Sequence, residues 1–560
     1  MERLSLLYPQ GKEDTGITLS EETLHDLAAE SLCERLSRME NEKGTIRRIM
    51  SKLSGDPEVI RYRCDVFEDI LKHPKLREDL GALLDRVDFL KTYGSFGKES
   101  DAAGIWELVH RLNEMDEYIQ CVQAIYECLD RDDVGSEGLL ALKDYVRKLY
   151  EDNGFSELKK DIEKMKADTG ELKSVTLGVN LNDRIEPNGI GIVSINSKYF
   201  TKSGIISNFC DFLSRGNEIQ KDAEWQKKYT YHTSSGEDTS AMTNFMINHP
   251  AMAGIVKPPS DGQSEGVMQY LDRAASAMLS GTVKKLKRLL SRHVAVSTYV
   301  ISELIPEFLY YVRWAEYVEN LMQKGYPMCK PRVLESGERS MEAREIYNMR
   351  LVDLPSEEIV KNDLIFDRER RLYILTGANR GGKTTITQAV GIAFLMAQGG
   401  IYAPAREFAF SPTGNILTQF PADENKTLDL GRLGEESKRF RDIFMKADST
   451  SLFLLNESFS TTSFEEGFYI AYDVVRALRD LGARTIYNTH MHKLAEMIEE
   501  LNKEGSGDSL TASLVAETED GRRSYKIRLG KPRGRSYAED IARKYGVTYQ
   551  QLTERLGGKR

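Results

Sequence analysis

Arg371-Leu372-Tyr373-Ile374-Leu375-Thr376-Gly377-Ala378-Asn379-Arg380-Gly381-Gly382-Lys383-Thr384 is the stretch on which the fold turns. An apolar strand, Leu372 to Thr376, runs into G-x-x-x-x-G-K-T, and a helical pattern from Ile386 to Ala397 follows. In that context the loop is a phosphate cradle. Glycines such as Gly377, Gly381 and Gly382 let backbone N–H groups turn inward. The helix N-terminus adds partial positive charge. Lys383 is expected to reach the β- and γ-phosphates, and the Thr384 hydroxyl to bind Mg²⁺, so the expected cofactors are ATP and Mg²⁺.

Two more apolar strands deliver polar residues to what should be the same sheet edge. Ser451 to Leu455 ends in Asn456-Glu457, which makes Glu457 the candidate general base against the γ-phosphate. Ala483 to Tyr487 ends in Asn488-Thr489-His490, which places His490 as a candidate γ-phosphate sensor. His492 acquires no role from this pattern.

The chain has 560 residues, enough for about three or four domains. It is 40% hydrophobic and 29% charged, an ordinary globular composition with charge to spare for solvated helices. Its net charge of −10 excludes a general polyanion binder, so any nucleic-acid contact needs a local basic patch. Six scattered cysteines with no C-x-x-C predict reduced thiols and a cytoplasmic protein without a zinc site. Pro9 interrupts the N-terminal apolar run too early for a signal peptide, and the longest apolar stretch, Ala389 to Ala397, is too short to span a membrane.

Residues 20 to about 172 show helical periodicity, with Asp56-Pro57 as a helix start and His73-Pro74 as a break. The alternating stretches 174–182 and 189–196 predict a hairpin turning at Glu186-Pro187-Asn188-Gly189. A polar stretch from 215 to 262 predicts loops. Helical texture returns from 264 to 324 and holds one basic turn, Lys284-Lys285-Leu286-Lys287-Arg288. From 330 onward short β-rich segments alternate with helices, as in an α/β domain with a parallel sheet.

These motifs together resemble the MutS family of DNA-binding ATPases. Gly377-Ala378-Asn379-Arg380-Gly381-Gly382-Lys383-Thr384-Thr385 is similar to the family's G-P-N-M-G-G-K-S-T, with Asn379 and the double glycine as its distinguishing marks. Asn456 to Ser463 resembles D-E-x-G-x-G-T-S, and Thr489 to Leu494 resembles T-H-Y-H-E-L. The family's segment from I-F-T-R-I-G to the acid pair lies on Ile416 to Glu457 without a gap. Ser536 to Ala542 is similar to S-Y-G-x-x-V-A, and Ile60 to Val66 looks like the R-Q-x-x-V region of the family's helical core. The resemblance implies a multidomain fold, an α-helical core and lever region with a small β-containing insert, followed by an α/β P-loop ATPase domain of the ABC type. The implied divisions are 1–173 for the helical core and first lever, 174–263 for a clamp-like insert, 264–329 for the returning lever, and 330–560 for the ATPase with a C-terminal helical dimerisation tail.

The departures from the family pattern are informative. Its Walker B Asp is Asn456 here, which would hold Mg²⁺ through water by an amide oxygen and implies slower turnover. Its trans-acting Ser falls at Gly431, so Gly431, Arg432 and Gly434 would face the neighbouring subunit's nucleotide. Its adenine-stacking aromatic falls at Ile359, leaving Asn362 as the better-matched base-side residue. Helices begin where the mismatch-reading domain is expected, and Phe155-Ser156-Glu157 and Phe464-Glu465-Glu466 match its F-x-E only by chance. The function implied is an ATP-gated homodimer that binds duplex or branched DNA without sequence or mismatch specificity, with Lys284, Lys285, Lys287 and Arg288 as its candidate phosphate contacts. The competing reading is a nucleotide-switched protein scaffold that does not act on DNA, which the acidic net charge favours.

Overall fold

The computed structural model describes residues 4–12, 15–87, 104–169, 173–181, 183–184, 187–196, 275–276, 279–292, 299–353, 359–378, 380–421, 431–460, 464–504, 507, 509–519, 522–531, 542–543 and 545–557. The chain divides into two units, one of Met1–Asp85, Glu127–Asp144 and Glu303–Arg560, the other of Arg86–Tyr126 and Tyr145–Ser302. Helices dominate the N-terminal region, and an α/β region closes the chain.

In the first unit the helix Pro57–Lys72 begins where Asp56-Pro57 predicts. Pro57 presets φ for the first turn, and the Asp56 side chain accepts a hydrogen bond from the Glu58 N–H at 2.9 Å. Pro74 then starts the next helix, Pro74–Val87, after a break at His73. Val59, Ile60, Val66, Phe67 and Ile70 form the buried stripe of the Pro57 helix. Its other inward residues hold the N-terminal segment. The Tyr62 hydroxyl donates to the Ser5 carbonyl at 2.6 Å, and Arg63 donates to the Leu7 carbonyl at 2.8 Å.

The α/β region is built on six strands, β1 (Arg370–Gly377), β2 (Ile416–Gln419), β3 (Leu452–Asn456), β4 (Arg484–Asn488), β5 (Leu510–Glu519) and β6 (Arg522–Leu529). Their order is β2-β3-β4-β1-β5-β6, parallel except for the antiparallel β5–β6 pair. The continuous apolar runs Leu372–Leu375 and Leu452–Leu455 are what a sheet covered on both faces requires, and all of these residues are buried. Register sets Asn456 opposite Asn488, and Asn488 opposite Leu375. The carboxyl ends of β1, β3 and β4 therefore finish together.

A second, four-stranded sheet runs in the order Arg332–Val333, Glu407–Phe410, Met341–Ile346, Asn362–Phe366. Helix α1 (Lys383–Gln398) follows the glycine-rich loop and is buried along most of its length. Gly391 explains how closely it is held. A Cβ there would lie 2.3 Å from Leu27 Cδ2 and 2.7 Å from Leu454 Cδ1, so the helix is wedged between the N-terminal segment and β3. On the opposite face, helices α2 (Gly431–Phe444) and α3 (Phe464–Leu481) close a second core around Phe440, Phe453, Phe459, Val475 and Leu478.

The described residues of the second unit are helical, with one hairpin. Tyr126 stacks on Tyr150 at 4.6 Å between ring centroids, and Phe155 meets Tyr118 edge-on. Phe155 is buried in that core, so the F-x-E beginning there presents no wedge. The hairpin pairs Ser174–Leu181 with Pro187–Asn196. Its turn lies earlier than the sequence predicts. Pro187 opens the second strand instead of sitting in the turn, because a two-stranded sheet leaves one side of each strand without a ladder partner and a first-position proline loses no bond there. The predicted loop region 215–262 lies outside the described residues. The returning helical texture is found as Ser280–Arg292 and Tyr299–Gln323. No described helix is long and apolar enough to cross a membrane.

Candidate nucleotide site

The site grows from the end of β1. Gly377 has φ +136° and Gly382 φ +86°, conformations that side chains resist, and Arg380 between them is also left-handed at φ +59°. Space is as restrictive as torsion: a Cβ on Gly377 would lie 2.8 Å from Ala516 Cβ, and one on Gly381 2.8 Å from the Ala378 carbonyl oxygen. Gly382 caps α1 with no side-chain hydrogen bond, so the helix's first N–H groups are left for a ligand. The loop thus turns tightly around backbone N–H groups at the start of α1.

Lys383 is 4% exposed, and among the described residues its ammonium donates to the carbonyls of Gly377 at 3.1 Å and Ala378 at 3.0 Å. Burial pushes its pKa down, and Glu457 opposes that shift. The Thr384 hydroxyl donates to Asn456 Oδ1 at 2.9 Å, and Asn488 Nδ2 donates to the same oxygen. The Thr385 carbonyl accepts from Asn348 at 3.0 Å, which fixes the first turn of α1. Asn379 lies outside the described residues.

Glu457 follows β3 in a left-handed conformation, φ +53°, and Phe459 repeats it at φ +62°. Such strain in non-glycine residues gathers where a chain must aim a side chain. The Glu457 N–H donates to the Asn488 carbonyl at 2.8 Å, which ties the turn to β4. His490 Nε2 lies 2.7 Å from Glu457 Oε1, so the ring carries its proton on that nitrogen. This hydrogen bond holds the Glu457 carboxyl below the usual carboxylate range, against burial and with help from Lys383. The structure therefore brings Lys383, Thr384, Asn456, Glu457 and His490 to one place. His492 is close enough that burial, His490 and Lys383 depress its pKa.

The residues fit a nucleotide with Mg²⁺. Among the described residues no three metal-ligating His, Cys, Asp or Glu side chains gather. A cation here would rely on the Thr384 hydroxyl, the Asn456 oxygen, water and the phosphates themselves, which suits Mg²⁺.

Other expected residues sit elsewhere. Ile359 and Asn362 line a cavity of about 830 Å³ with Tyr373, Lys526 and Arg528. The Asn362 amide is spent on β6: it donates to the Tyr525 carbonyl at 3.2 Å and accepts from the Ile527 N–H at 2.8 Å. Asn362 thus positions Tyr525 instead of presenting its amide to a base. Tyr525 has φ +55°, and its ring lies 3.5 Å from where a Gly382 Cβ would be. It is an aromatic that lies beside the loop, and no sequence spacing points to it.

Gly431, Arg432 and Gly434 fall in the first turn of α2. The same stretch also works within its own chain, since Glu436 accepts from the Phe459 N–H at 2.7 Å and so braces the Glu457 turn. Lys284, Lys285, Lys287 and Arg288 lie on the helix Ser280–Arg292 of the second unit. Lys284, Lys285 and Arg288 are exposed there, while Leu286, Leu289 and Leu290 are buried.

Residues 373–554 match the model of MutS domain V, and residues 55–189 match that of the MutS2 N-terminal domain. Among similar proteins, the DNA mismatch repair protein MutS of Chlorobium phaeovibrioides is 34% identical over 183 residues, 32% of this chain and 21% of that one. Endonuclease MutS2 of Thermus thermophilus is 29% identical over 195 residues, 35% of this chain and 25% of that one. Endonuclease MutS2 of Geobacillus thermodenitrificans is 28% identical over 288 residues, 50% of this chain and 34% of that one. The matches thus span between a fifth and a third of these relatives' lengths.

Proposed function

Since the chain belongs to the MutS family, we propose that it is a Mg²⁺-dependent ATPase that acts as a homodimer and couples its nucleotide state to lever and clamp movement on DNA. The observation that carries the proposal is the convergence of Lys383, Thr384, Asn456, Glu457 and His490 at the carboxyl ends of β1, β3 and β4. Mg²⁺, when bound, withdraws charge from the phosphate oxygens. Gly377 to Gly382 and the N-terminus of α1 hold the phosphates through backbone N–H groups. Lys383 neutralises charge between the β- and γ-phosphates. Glu457, ionised and aimed by His490, takes the proton of the attacking water.

Gly431, Arg432 and Gly434 are assigned to the partner's γ-phosphate, which makes the dimer part of the site. An amide in place of a carboxylate at Asn456 suits slow turnover. The DNA contact is assigned to Lys284, Lys285, Lys287 and Arg288, which read phosphates and not bases, so no preference for a mismatched duplex is expected. The reduced cysteines suit a cytoplasmic protein.

The test is ATP hydrolysis by the purified chain, with light scattering in the presence of ATP and Mg²⁺. Hydrolysis by a dimer is the expected result. A chain that neither binds nor hydrolyses ATP would overturn the proposal. Competition among a G·T duplex, its matched twin and a four-way junction at several salt concentrations tests the DNA arm. Steep salt dependence without mismatch preference is expected, and no binding at low salt would leave the nucleotide-switched scaffold in its place.

A further inference from the structure

Asn456 and Asn488 are the last residues of two neighbouring parallel strands, and register sets them side by side. Asn456 is 6% exposed and Asn488 is 0% exposed. One atom, Asn456 Oδ1, accepts both from the Thr384 hydroxyl and from Asn488 Nδ2. Asn488 Nδ2 also lies 3.5 Å from Thr384 Oγ1, so the three groups form a closed triangle. Asn488 Oδ1 has no hydrogen-bond partner among the described residues. Asn488 therefore engages its surroundings through its donor.

The chemistry of an amide explains why a second amide is placed there. A carboxylate ends in two equivalent acceptor oxygens, so a half-turn about its last bond changes nothing. An amide ends in one acceptor and one donor. The same half-turn at Asn456 would aim an NH₂ group at the Thr384 hydroxyl and at any cation it holds. That orientation would also set the NH₂ groups of Asn456 and Asn488 against each other in a site with no room for water between them. The two amides could turn only together, and the turned pair would put an NH₂ group where Thr384 now meets the Asn456 oxygen at 2.9 Å.

We infer that Asn488 is a positioning residue that holds Asn456 with its oxygen toward Thr384, so that two amides jointly perform the metal-side work of one carboxylate. The inference rests on the ATPase reading above and specifies which residues make its Mg²⁺ side function. Its consequence is that Mg²⁺ dependence is a property of the pair. Asn488 matters when residue 456 is an amide and ceases to matter when residue 456 is a carboxylate.

The experiment is a two-by-two cycle with Asn488→Leu and Asn456→Asp in the full chain. The readout is binding of a fluorescent N-methylanthraniloyl ATP titrated with MgCl₂, not turnover. With Asn456 present, Asn488→Leu should raise the half-saturating Mg²⁺ concentration about tenfold, the scale of one lost hydrogen bond to a metal-side acceptor. In the Asn456→Asp background the same change should move it by less than about twofold. Within each residue-456 background, metal-free nucleotide binding should be the same with and without Asn488→Leu. Asn488→Ala, which removes the donor without adding bulk, should give the same pattern, and circular dichroism confirms that each variant is folded. An equal shift in both backgrounds, or none in either, would overturn the inference and leave Asn488 a packing residue. Absence of nucleotide binding in every protein, the parent included, would instead overturn the ATPase reading and this inference with it.

Discussion

Two buried cations stand at opposite ends of the same central sheet, and the chain treats them differently. Arg484 opens β4 and is 0% exposed. It donates to the carbonyls of Ser411 at 2.6 Å, Thr450 at 3.0 Å, Pro412 at 3.1 Å and Ser340 at 3.3 Å, and it lies over the Phe394 ring. Burial and the nearby Arg339 push its pKa down to about 9, yet four carbonyl dipoles hold the charge without any acid. Lys383, at the other end, has two loop carbonyls and a partly exposed carboxylate in its neighbourhood. At the amino end of the sheet the cation's two terminal nitrogens are matched by the chain's own carbonyls. At the carboxyl end, cation, strained backbone and uncapped helix N-terminus come together, the features on which the proposed nucleotide site rests.

The comparison predicts that a substitution at one end should cost stability and spare the chemistry, and at the other do the reverse. The largest effect is expected at Lys383. Lys383→Ala removes the side-chain cation assigned to the β- and γ-phosphates, so hydrolysis should fall roughly a thousandfold or more. Thermal stability without nucleotide should hold or rise, since a desolvated charge is gone. Steady-state turnover and a melting curve on the same sample decide it, and an active Lys383→Ala would sink the site.

Arg484→Met should do the opposite. Losing the guanidinium strands several buried carbonyls, and unfolding should become easier by about 3 kcal/mol. Nucleotide affinity per folded molecule should be unchanged. Denaturant titration alongside nucleotide binding measures both, and a selective loss of binding in Arg484→Met would erase the contrast between the two ends.

Next comes Glu457→Gln. Nucleotide binding should survive while hydrolysis slows by roughly a hundredfold, the range for removing a general base. If hydrolysis per bound ATP stays at the parent rate, the proton acceptor is another group.

Legibility from sequence follows the same geography. The loop is readable because its glycines, Lys383 and Thr384 are contiguous, and the placement of Asn456-Glu457 and His490 follows from the ends of apolar strands. What escaped depends on register or on distant turns. Asn488 meets Asn456 only because β3 and β4 pair without offset. Arg484 is matched by carbonyls from three separate turns. Tyr525 comes beside Gly382 through a hairpin whose position Asn362 sets. None of these leaves a local periodicity. The helical region was legible as helix, but the division into two units passes within the helices Ile105–Arg131 and Glu137–Glu151, where composition does not change.

The smallest expected effect probes how the carboxyl end is tuned. The His490 hydrogen bond is the largest cause holding the Glu457 carboxyl below its usual range, with Lys383 adding a lesser share. His490→Ala removes the first and keeps the second, so the Glu457 pKa should rise. The sign follows directly: Glu457 accepts a proton only when ionised, so activity is present above its pKa and is lost as the pH falls through it. Raising that pKa moves the acid limb of kcat/KM to higher pH. At neutral pH Glu457 stays ionised, and the remaining loss, from a carboxylate no longer aimed, should be about tenfold. The stability contribution of Glu457 follows the same direction, being present at neutral pH and fading at a higher pH in the variant than in the parent. A kcat/KM profile from acid to neutral pH, run on parent and His490→Ala together, measures the displacement. A limb that stays in place, or moves toward acid, would show that His490 meets the γ-phosphate without tuning Glu457, and the contrast between the two ends would then rest on Lys383 alone.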